Sequence, residues 1–403
     1  MASETAVLPN KAVGKFLDGL KSSELLQKLD WNEWLDIVPP YSATNCTKQE
    51  VTARYNRNGY DWDIHGSLYT PAKEFDPTLA FVVIQGGAGT EHNMDWTPDG
   101  RPGLARILAT QGVKVLSITY PGHWAPGGYW TEPVSERLPY YLLDRKLSLE
   151  ETKDRMLKCT FNVNMQGLAA LVDQHLAGRR ILGFGHSTGG PMVASLHRFS
   201  KKAKVIGITG FGSGGPHNWV KEWRDGAGLK HRDWPIDNVS RRSPNSFREA
   251  GYDDDEDLCP WKTPENYMAW ADKHRSQIKT SVCDNQHVTM GEPKRLEEFV
   301  KVTGLPRAEF FDHLEEPDHK FLKGLGVILI VGENDKGHWK EGATGGDITR
   351  NQEMFLGRKY REAGSRTHVL LIPRYGHIGY AELYNEKLAY LWLWAYKNGF
   401  YKD

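Results

Sequence analysis

Short apolar runs alternate with amphipathic stretches along much of the chain. The runs at 79–85, 113–120, 205–210 and 326–331 are almost continuously apolar, and stretches with helical spacing of apolar residues lie between them. A strand that is apolar throughout is buried on both faces, which is typical of a parallel sheet covered by helices. The pattern therefore predicts an α/β fold, with a mostly parallel central sheet and helices on both of its faces.

The N-terminal part of the chain has a different pattern. Two stretches of β-type composition, 50–55 and 60–69, flank Asn58-Gly59, a dipeptide that favours a tight hairpin turn. Upstream of them, apolar residues at helical spacing predict a helix at 13–20, and the leucines at 25, 26 and 29 suggest a second helix. We interpret this arm as a packing element that covers the core.

The regular alternation stops between residues 212 and 324. This segment is polar but contains scattered tryptophans, and we expect a largely helical insertion that forms a lid over the C-terminal edge of the sheet. The alternation resumes and ends with a strand at 368–372 and a terminal helix at 381–396. We therefore divide the chain into a helical arm (1–43), the first part of an α/β core (44–213), the lid (214–324) and the second part of the core (325–403).

Charge and cysteine content limit the classes of function. Lysine plus arginine and aspartate plus glutamate both count 51, so the formal net charge is zero and nothing indicates a nucleic-acid or membrane-surface partner. The four cysteines are far apart, and we see neither a signal peptide nor an apolar run long enough to span a membrane. These features predict reduced thiols and a cytoplasmic protein. Cys283 and His287 are too few to define a metal site, so we assign no metal and no cofactor.

The stretch from Arg180 to His197 carries the strongest chemical signal. An apolar strand runs into Gly185-His186-Ser187-Thr188-Gly189, which matches G-x-S-x-G, and a helical stretch with Pro191 in its first turn follows. A strand, this motif and a helix in that order are the context of a nucleophile elbow, in which a strained turn exposes the serine hydroxyl. We predict that Ser187 is a nucleophile.

Partners for a serine nucleophile occur later in the chain. Glu333 and Asp335 both follow the strand at 326–331, and His377 follows the last strand inside Gly376-His377-Ile378-Gly379. A serine hydroxyl is a weak nucleophile at neutral pH and needs a base, for which histidine has a suitable pKa. We interpret the remaining candidate histidines as surface, packing or substrate-contact residues: His92, His123, His186, His217, His313 and His319.

With these elements in this order, the chain resembles the α/β-hydrolase superfamily over roughly residues 60–403. The stretch Thr97-Pro98-Asp99-Gly100-Arg101 also looks like one found in a group of microbial esterases. The resemblance implies a Ser187-His377-Asp335 triad, with Glu333 as the rival acid. Asp335 is preferred because the family usually has a carboxylate that is shorter than that of Glu333 and lies slightly further along the chain. It also implies an oxyanion hole formed by the backbone N–H groups of Gly87 and Thr188.

The chain departs from many relatives in two places. The strand that follows the elbow ends in Gly212-Ser213-Gly214-Gly215 without an acid, and Gln85 stands where many relatives have a histidine before the glycines. The loop after the strand at 113–120 is rich in aromatic residues, and we expect Trp124, Tyr129 and Trp130 to contact substrate. The acid is therefore expected after the later strand, at Asp335.

These observations predict a serine hydrolase that cleaves an ester, or less readily an amide or lactone, of a small and partly apolar organic molecule. The alternative is another enzyme of the same fold, such as a lyase, acyltransferase or cyclase, because a fold does not fix a reaction. A binding protein without catalytic activity would not need a serine, an acid and a histidine together. The expected partner is a small-molecule substrate, and the oligomeric state, a homodimer included, stays open.

Overall fold

The computed structural model describes residues 24–84, 86, 94–97, 101–119, 160–226, 316–333, 335, 345–373, 375–376, 379–381 and 384–401. The elements in chain order are β1 (Leu26–Lys28), α1 (Trp31–Leu35), β2 (Cys46–Arg57), β3 (Tyr60–Pro71), β4 (Leu79–Ile84), α2 (Leu104–Thr110), β5 (Lys114–Thr119), α3 (Phe161–His175), β6 (Arg180–His186), α4 (Gly189–Phe199), β7 (Lys204–Phe211), α5 (His217–Gly226), α6 (His319–Leu322), β8 (Gly326–Gly332), α7 (Gly345–Glu362), β9 (Arg366–Ile372) and α8 (Glu386–Lys397).

The described strands form one sheet in the order β1-β9-β8-β7-β6-β4-β5-β3-β2. In this spatial order, each strand from β1 through β9, β8, β7, β6 and β4 to β5 is parallel to its neighbour. β3 pairs antiparallel with both β5 and β2. The predicted mostly parallel sheet is confirmed. Because the parallel strands point the same way, the loops after β4, β6, β7, β8 and β9 all emerge at one edge of the sheet.

Helices cover both faces of the sheet. One apolar cluster contains the buried sides of α2 and α8, and the other contains those of α3, α4 and α7. Every residue of β4 and β8 is buried, which agrees with their continuously apolar sequences. The sheet is thus a rigid layer between two apolar cores, and it fixes the position of the loops at its edge.

The predicted hairpin at Asn58-Gly59 is confirmed. β2 and β3 pair from Arg57 with Tyr60 to Cys46 with Pro71, with Asn58 and Gly59 at the turn. Both turn residues have positive φ, 52° at Asn58 and 80° at Gly59, which is the conformation that a tight two-residue hairpin turn requires.

Two sequence predictions were wrong. The leucines at 25, 26 and 29 do not form a helix, because residues 26–28 pair in parallel with β9 and close that edge of the sheet. The terminal helix begins at Glu386 rather than at 381, because Tyr384 has a positive φ of 67° that a helix cannot continue. A three-residue edge strand is too short to produce a clear period in the sequence.

The predicted lid falls mainly on residues outside the described ranges. Of this segment the structure describes 214–226 and 316–324, and α5 within it packs against α4 and α7 through Trp219 and Val220. The helix predicted at 13–20, the acidic run at 253–257 and the residues Cys283 and His287 also lie outside. Within the described ranges, no helix is long and apolar enough to cross a membrane.

Candidate active site

Ser187 sits in a strained turn between β6 and α4. Its φ is 49°, in the left-handed region that side chains other than glycine seldom adopt. The backbone N–H of Ser187 donates to the carbonyl of Phe211 at the end of β7, at 2.9 Å, and the Gly190 N–H donates to the Ser187 carbonyl at 3.0 Å. The structure therefore contains the tight strand-to-helix turn that the motif predicts, and non-glycine strain of this kind is a feature of functional sites.

Glycines allow the backbone to close this turn. A Cβ atom on Gly185 would lie 2.3 Å from the Gly189 carbonyl oxygen, so β6 and α4 touch at this point. A Cβ atom on Gly190 would lie only 1.6 Å from the carbonyl oxygen of Ser213, in the loop after β7. The sequence motif pointed to Gly185, but the contact between Gly190 and the neighbouring loop was not foreseen, because it joins segments far apart in sequence.

Gly190→Ala should therefore destabilise the fold by about 3 kcal/mol or more, since the new methyl group would collide with backbone that cannot move aside easily. Chemical denaturation of the variant and the wild-type protein measures the difference. Gly226→Ala is the control, because a Cβ atom there meets nothing within 4 Å, and its effect should stay below about 1 kcal/mol. Equal stability of Gly190→Ala and wild type would contradict the packing described here.

The loop that follows β4 begins directly against the elbow. A Cβ atom on Gly86 would lie 2.6 Å from Nδ1 of His186 and 2.9 Å from Cβ of Ser187. Gly87, the predicted oxyanion donor, is the next residue and lies outside the described ranges. Thr188, the second predicted donor, is the N-cap of α4 and is buried. The amino terminus of a helix presents unpaired N–H groups and favours negative charge, as an oxyanion hole requires.

Asp335 lies beyond the end of β8 and is fully buried. Its backbone N–H donates to the Gly332 carbonyl at 3.1 Å, and the Thr349 hydroxyl on α7 donates to its Oδ1 at 3.2 Å. β8 is separated from β6 by β7 alone, so the Asp335 turn and Ser187 emerge at the same edge of the sheet. The carboxylate is thus both buried and oriented by a neighbouring hydrogen-bond donor.

Glu333, the rival acid, has a different environment. Its carboxylate forms an ion pair with Lys28 of β1 at 2.6 Å, and 38% of its side chain is exposed. Its backbone N–H donates to the carbonyl of Ile372 at 2.9 Å. Glu333 therefore points to the solvent-exposed side of the turn, toward the edge strand, and Asp335 points into the protein.

His377 lies outside the described residues, but the chain on either side of it is described. A Cβ atom on Gly332 would lie 2.2 Å from the Tyr375 carbonyl oxygen and 2.6 Å from that of Gly376, so the segment just before His377 packs on the turn that carries Asp335. A Cβ atom on Gly379 would lie 2.7 Å from the ring of Phe211, whose carbonyl accepts from Ser187. The flanking residues thus contact both the acid turn and the nucleophile turn.

A clamp centred on Arg101 joins two of these loops. Its guanidinium donates to Oδ1 of Asn385 at 3.0 Å and to the Ala381 carbonyl at 2.8 Å. The Asn385 amide donates in return to the Pro102 carbonyl at 3.2 Å. Arg101 belongs to the stretch that resembles microbial esterases, and it ties the region after β4 to the chain that follows His377. A sequence pattern alone does not reveal this pairing.

Asp95 also holds the region after β4 in place, through two ion pairs. Its buried carboxylate is paired with Lys48 of β2 at 2.8 Å and with Arg106 of α2 at 2.6 Å. The Arg106 guanidinium also lies over the Trp96 ring, 4.5 Å from its centroid. Because both carboxylate oxygens are paired, the segment on the far side of the loop after β4 is held firmly against the sheet.

Glu353 of α7 is a buried acid that the sequence did not reveal. It is fully buried, and neither carboxyl oxygen makes a hydrogen bond to a described residue. Burial raises the pKa of this carboxyl to about 8; Gln352 and the Gly214 N–H lie near enough to offset part of the rise, and the charge of Asp335 adds to it. A signal was present in principle, because glutamate is out of place on the apolar face of a helix.

The remaining candidates divide between packing residues and residues outside the described ranges. His186 packs between the rings of Tyr380 and Phe211, and His217 stacks on Phe161 with centroids 5.4 Å apart. These contacts agree with the packing roles expected for both. Trp124, Tyr129 and Trp130, predicted to contact substrate, lie outside the described ranges, as do His92, His123 and His313.

No protein-family model and no curated protein sequence matches this chain. Similar solved structures include a lipase in its open form (13% identity, TM-score 0.44, covering 88% of this chain and 99% of that one). Others are esterase E22 (12%, 0.42, 87% and 100%) and carboxyl esterase 2 from the mycorrhizal fungus Tuber melanosporum (12%, 0.38, 96% and 98%).

The topology itself identifies the fold. A hairpin leads into a parallel sheet in which β6 is followed directly by a left-handed serine. The candidate acid follows β8, and the candidate histidine follows β9 in the sequence. The serine turn is at the top of the sheet, where a nucleophile elbow places it. This chain has the α/β-hydrolase fold.

Proposed function

We propose that the protein is a serine hydrolase that cleaves an ester, or less readily an amide or lactone, of a small organic molecule. The observation that carries the proposal is the left-handed conformation of Ser187 in a strand–turn–helix, because that strain serves to present a hydroxyl at the sheet edge. Gly86 packs against Ser187. Asp335 follows β8, which is separated from β6 in the sheet by β7.

In the proposed mechanism, His377 accepts the proton of the Ser187 hydroxyl as Oγ attacks the carbonyl carbon of the substrate. The Asp335 carboxylate holds the imidazole in the required tautomer and stabilises the imidazolium. The backbone N–H groups of Thr188 and Gly87 donate to the oxyanion of the tetrahedral intermediate. His377 then donates its proton to the leaving alcohol. In the second half of the reaction, His377 accepts a proton from water as the water oxygen attacks the acyl carbon, and it returns that proton to Ser187 Oγ as the carboxylic acid is released.

Asp335 is preferred to Glu333 as the orienting acid for two reasons. Asp335 is fully buried and accepts a hydrogen bond from Thr349, whereas Glu333 is partly exposed and paired with Lys28. In addition, the chain just before His377 packs on Gly332, whose carbonyl accepts from the Asp335 N–H. An orienting acid must be held rigidly, and the environment of Asp335 meets that requirement.

The proposed substrate is partly apolar, as the aromatic residues Trp124, Tyr129 and Trp130 and the tryptophans of the proposed lid at 214–324 suggest from the sequence. A panel of esters, lactones and amides with acyl groups of increasing size, followed by product analysis, tests this assignment. Hydrolysis products are expected; an elimination, transfer or cyclisation product would instead support the alternative class of enzyme.

A fluorophosphonate probe tests the nucleophile directly. We expect a covalent adduct on Ser187, located by mass spectrometry of the digested protein, because the probe phosphonylates an activated serine. Heat-denatured protein is the control for labelling without an intact site. An adduct on another residue, or equal labelling of native and denatured protein, would refute the proposal.

A further inference from the structure

β2 lies at the hairpin end of the sheet, and among the described strands it has a neighbour on one side only, β3. Its twelve residues, Cys46–Arg57, pair with β3 without interruption and include no proline. Short length, proline and bulges are features that commonly keep an edge strand from pairing with another chain, and charged side chains are another. β2 has only the charged side chains, so their arrangement decides what the edge can bind.

Backbone groups at the even positions of β2 are directed away from β3. Just before the strand, the Ala72 N–H donates to the Asn45 carbonyl at 2.6 Å, so odd positions bond toward β3. The Thr44 N–H points the other way and donates to the Thr110 carbonyl, also at 2.6 Å. Because alternate residues of an antiparallel strand bond to opposite sides, the outer edge consists of the N–H and C=O groups of every second residue. These residues are Lys48, Glu50, Thr52, Arg54 and Asn56.

A negative and a positive side chain stand at equal distances on either side of Thr52. Glu50, Thr52 and Arg54 are exposed on one face of β2, and the residues between them are buried on the other face. The Arg54 guanidinium donates to both carboxylate oxygens of Asp63 on β3, at 2.6 and 3.0 Å, and this fork holds it on the exposed face. A guanidinium has five N–H donors, so it can accept a second carboxylate at the edge.

We propose that β2 is the interface for a second copy of this chain, with the two β2 strands antiparallel and Thr52 opposite Thr52. In this register Glu50 of each copy lies opposite Arg54 of the other, so two pairs of opposite charges cross the interface. The edge is thus complementary to itself, as an interface with twofold symmetry requires. Backbone hydrogen bonds between the two edges supply the affinity and join both sheets into one.

The charges favour this register over its nearest competitor. A symmetric pairing that keeps even positions opposite even positions and uses nearly the whole strand is centred on either Thr52 or Val51. Centring on Val51 would place Lys48 opposite Arg54, and like charges directly opposite each other destabilise a strand pair. Lys48 is also paired with Asp95 at 2.8 Å, which offsets part of that repulsion, but the two Glu50–Arg54 pairs would be lost.

The proposed interface is remote from the candidate active site. β2 is separated from β6, which leads into Ser187, by the strands β4, β5 and β3. The loops after β6 and β8 therefore stay accessible in the dimer, and fluorophosphonate labelling of Ser187 should be the same in monomer and dimer. The dimer and the proposed function can thus fail independently.

Sedimentation equilibrium of the full chain, at concentrations from about 1 to about 100 µM, tests the proposal. The chain has a mass of 45.7 kDa, and we expect the average mass to rise toward twice that value with concentration. Larger species are not expected, because a twofold interface closes on itself. Hydrogen–deuterium exchange of the peptide that contains β2 should slow over the same range of concentrations.

Thr52→Pro and Glu50→Arg disturb the backbone and the charges separately. Proline at position 52 removes an N–H that is directed away from β3, so the hairpin keeps its own hydrogen bonds and the outer edge is interrupted. The new arginine at position 50 would face Arg54 of the second copy in both pairs. Each variant should raise the dissociation constant of the dimer at least about tenfold. Glu362→Arg, the same change at an exposed position of α7, is the control and should leave the dimer unchanged.

A mixture of two variants tests the register. One chain carries Glu50→Arg, and the other carries Arg54→Glu together with Asp63→Arg, which keeps an ion pair of reversed polarity within its hairpin. Each variant alone would place like charges across the interface, whereas a mixed dimer has opposite charges at both positions. We therefore expect the mixture to dimerise at concentrations at which each variant alone is monomeric, with circular dichroism as the check on folding.

Every contrary outcome overturns the proposal in a definite way. A wild-type chain that stays monomeric at every concentration refutes it, and slow exchange of β2 independent of concentration would then indicate that another segment of the same chain covers the edge. A dimer that tolerates both Thr52→Pro and Glu50→Arg uses a different surface. Loss of the dimer in each charge variant, without recovery in the mixture, refutes the register centred on Thr52.

Discussion

Ser187→Ala should lower the rate of ester hydrolysis by roughly 10³-fold or more while the protein stays folded. The variant lacks the oxygen that forms the acyl-enzyme in the proposed mechanism. The residual rate would come from substrate binding and the oxyanion hole alone. Steady-state kinetics on the best substrate of the ester panel gives kcat and kcat/KM, and circular dichroism checks the fold.

The strain at Ser187 provides an independent readout for the same position. Its φ of 49° suits glycine better than a residue with a side chain, so Ser187→Gly should lose activity like the alanine variant and also gain stability relative to it. A difference of about 1 kcal/mol in the free energy of unfolding is expected. Hydrolysis at the wild-type rate by either variant would end the assignment of Ser187 as nucleophile.

Asp335→Asn should reduce kcat by about 10⁴-fold, because an amide favours the wrong tautomer of His377 and cannot stabilise an imidazolium. The fold should remain largely intact, since asparagine has the same size and can still accept a hydrogen bond from Thr349. The comparison uses single-turnover kinetics of both proteins on the same ester.

Glu333→Gln is the matched control for Asp335→Asn. It makes the same change from acid to amide two residues away and breaks an exposed ion pair with Lys28. Exposed pairs contribute about 0–1 kcal/mol to stability, so this variant should remain close to wild type in both activity and melting temperature. If the two results were exchanged, the orienting acid would be Glu333; if neither variant lost activity, the acid would come from another part of the chain.

Local sequence patterns were sufficient to predict the parallel sheet. Runs such as Val327 to Val331 are apolar throughout because both faces of the strand are covered, and that burial leaves a direct mark on the sequence. The hairpin at Asn58-Gly59 was also predictable, since its turn requires two residues that tolerate positive φ. The edge strand β1 was not predictable, because three residues are too few to show an alternation of apolar and polar positions.

The candidate site was predictable only in part. Ser187 lies in a motif whose strain is local, so its turn could be read from adjacent residues. Asp335 and Glu333 follow the same strand, and sequence alone could not show that one is buried and the other pairs with Lys28. The contact between Gly190 and Ser213 depends on segments that meet only in the folded chain, which no local pattern records.

The Arg101 clamp has a consequence for the order in which the protein folds. Its hydrogen bonds join residues separated by 280 and 284 positions in the sequence. A contact across so long a loop is entropically costly to close early, and it forms after the local hairpins and helices have reduced the distance. During synthesis, the region after β4 can be clamped only once residues 381–385 have been made, so the site is expected to mature only after that segment has left the ribosome.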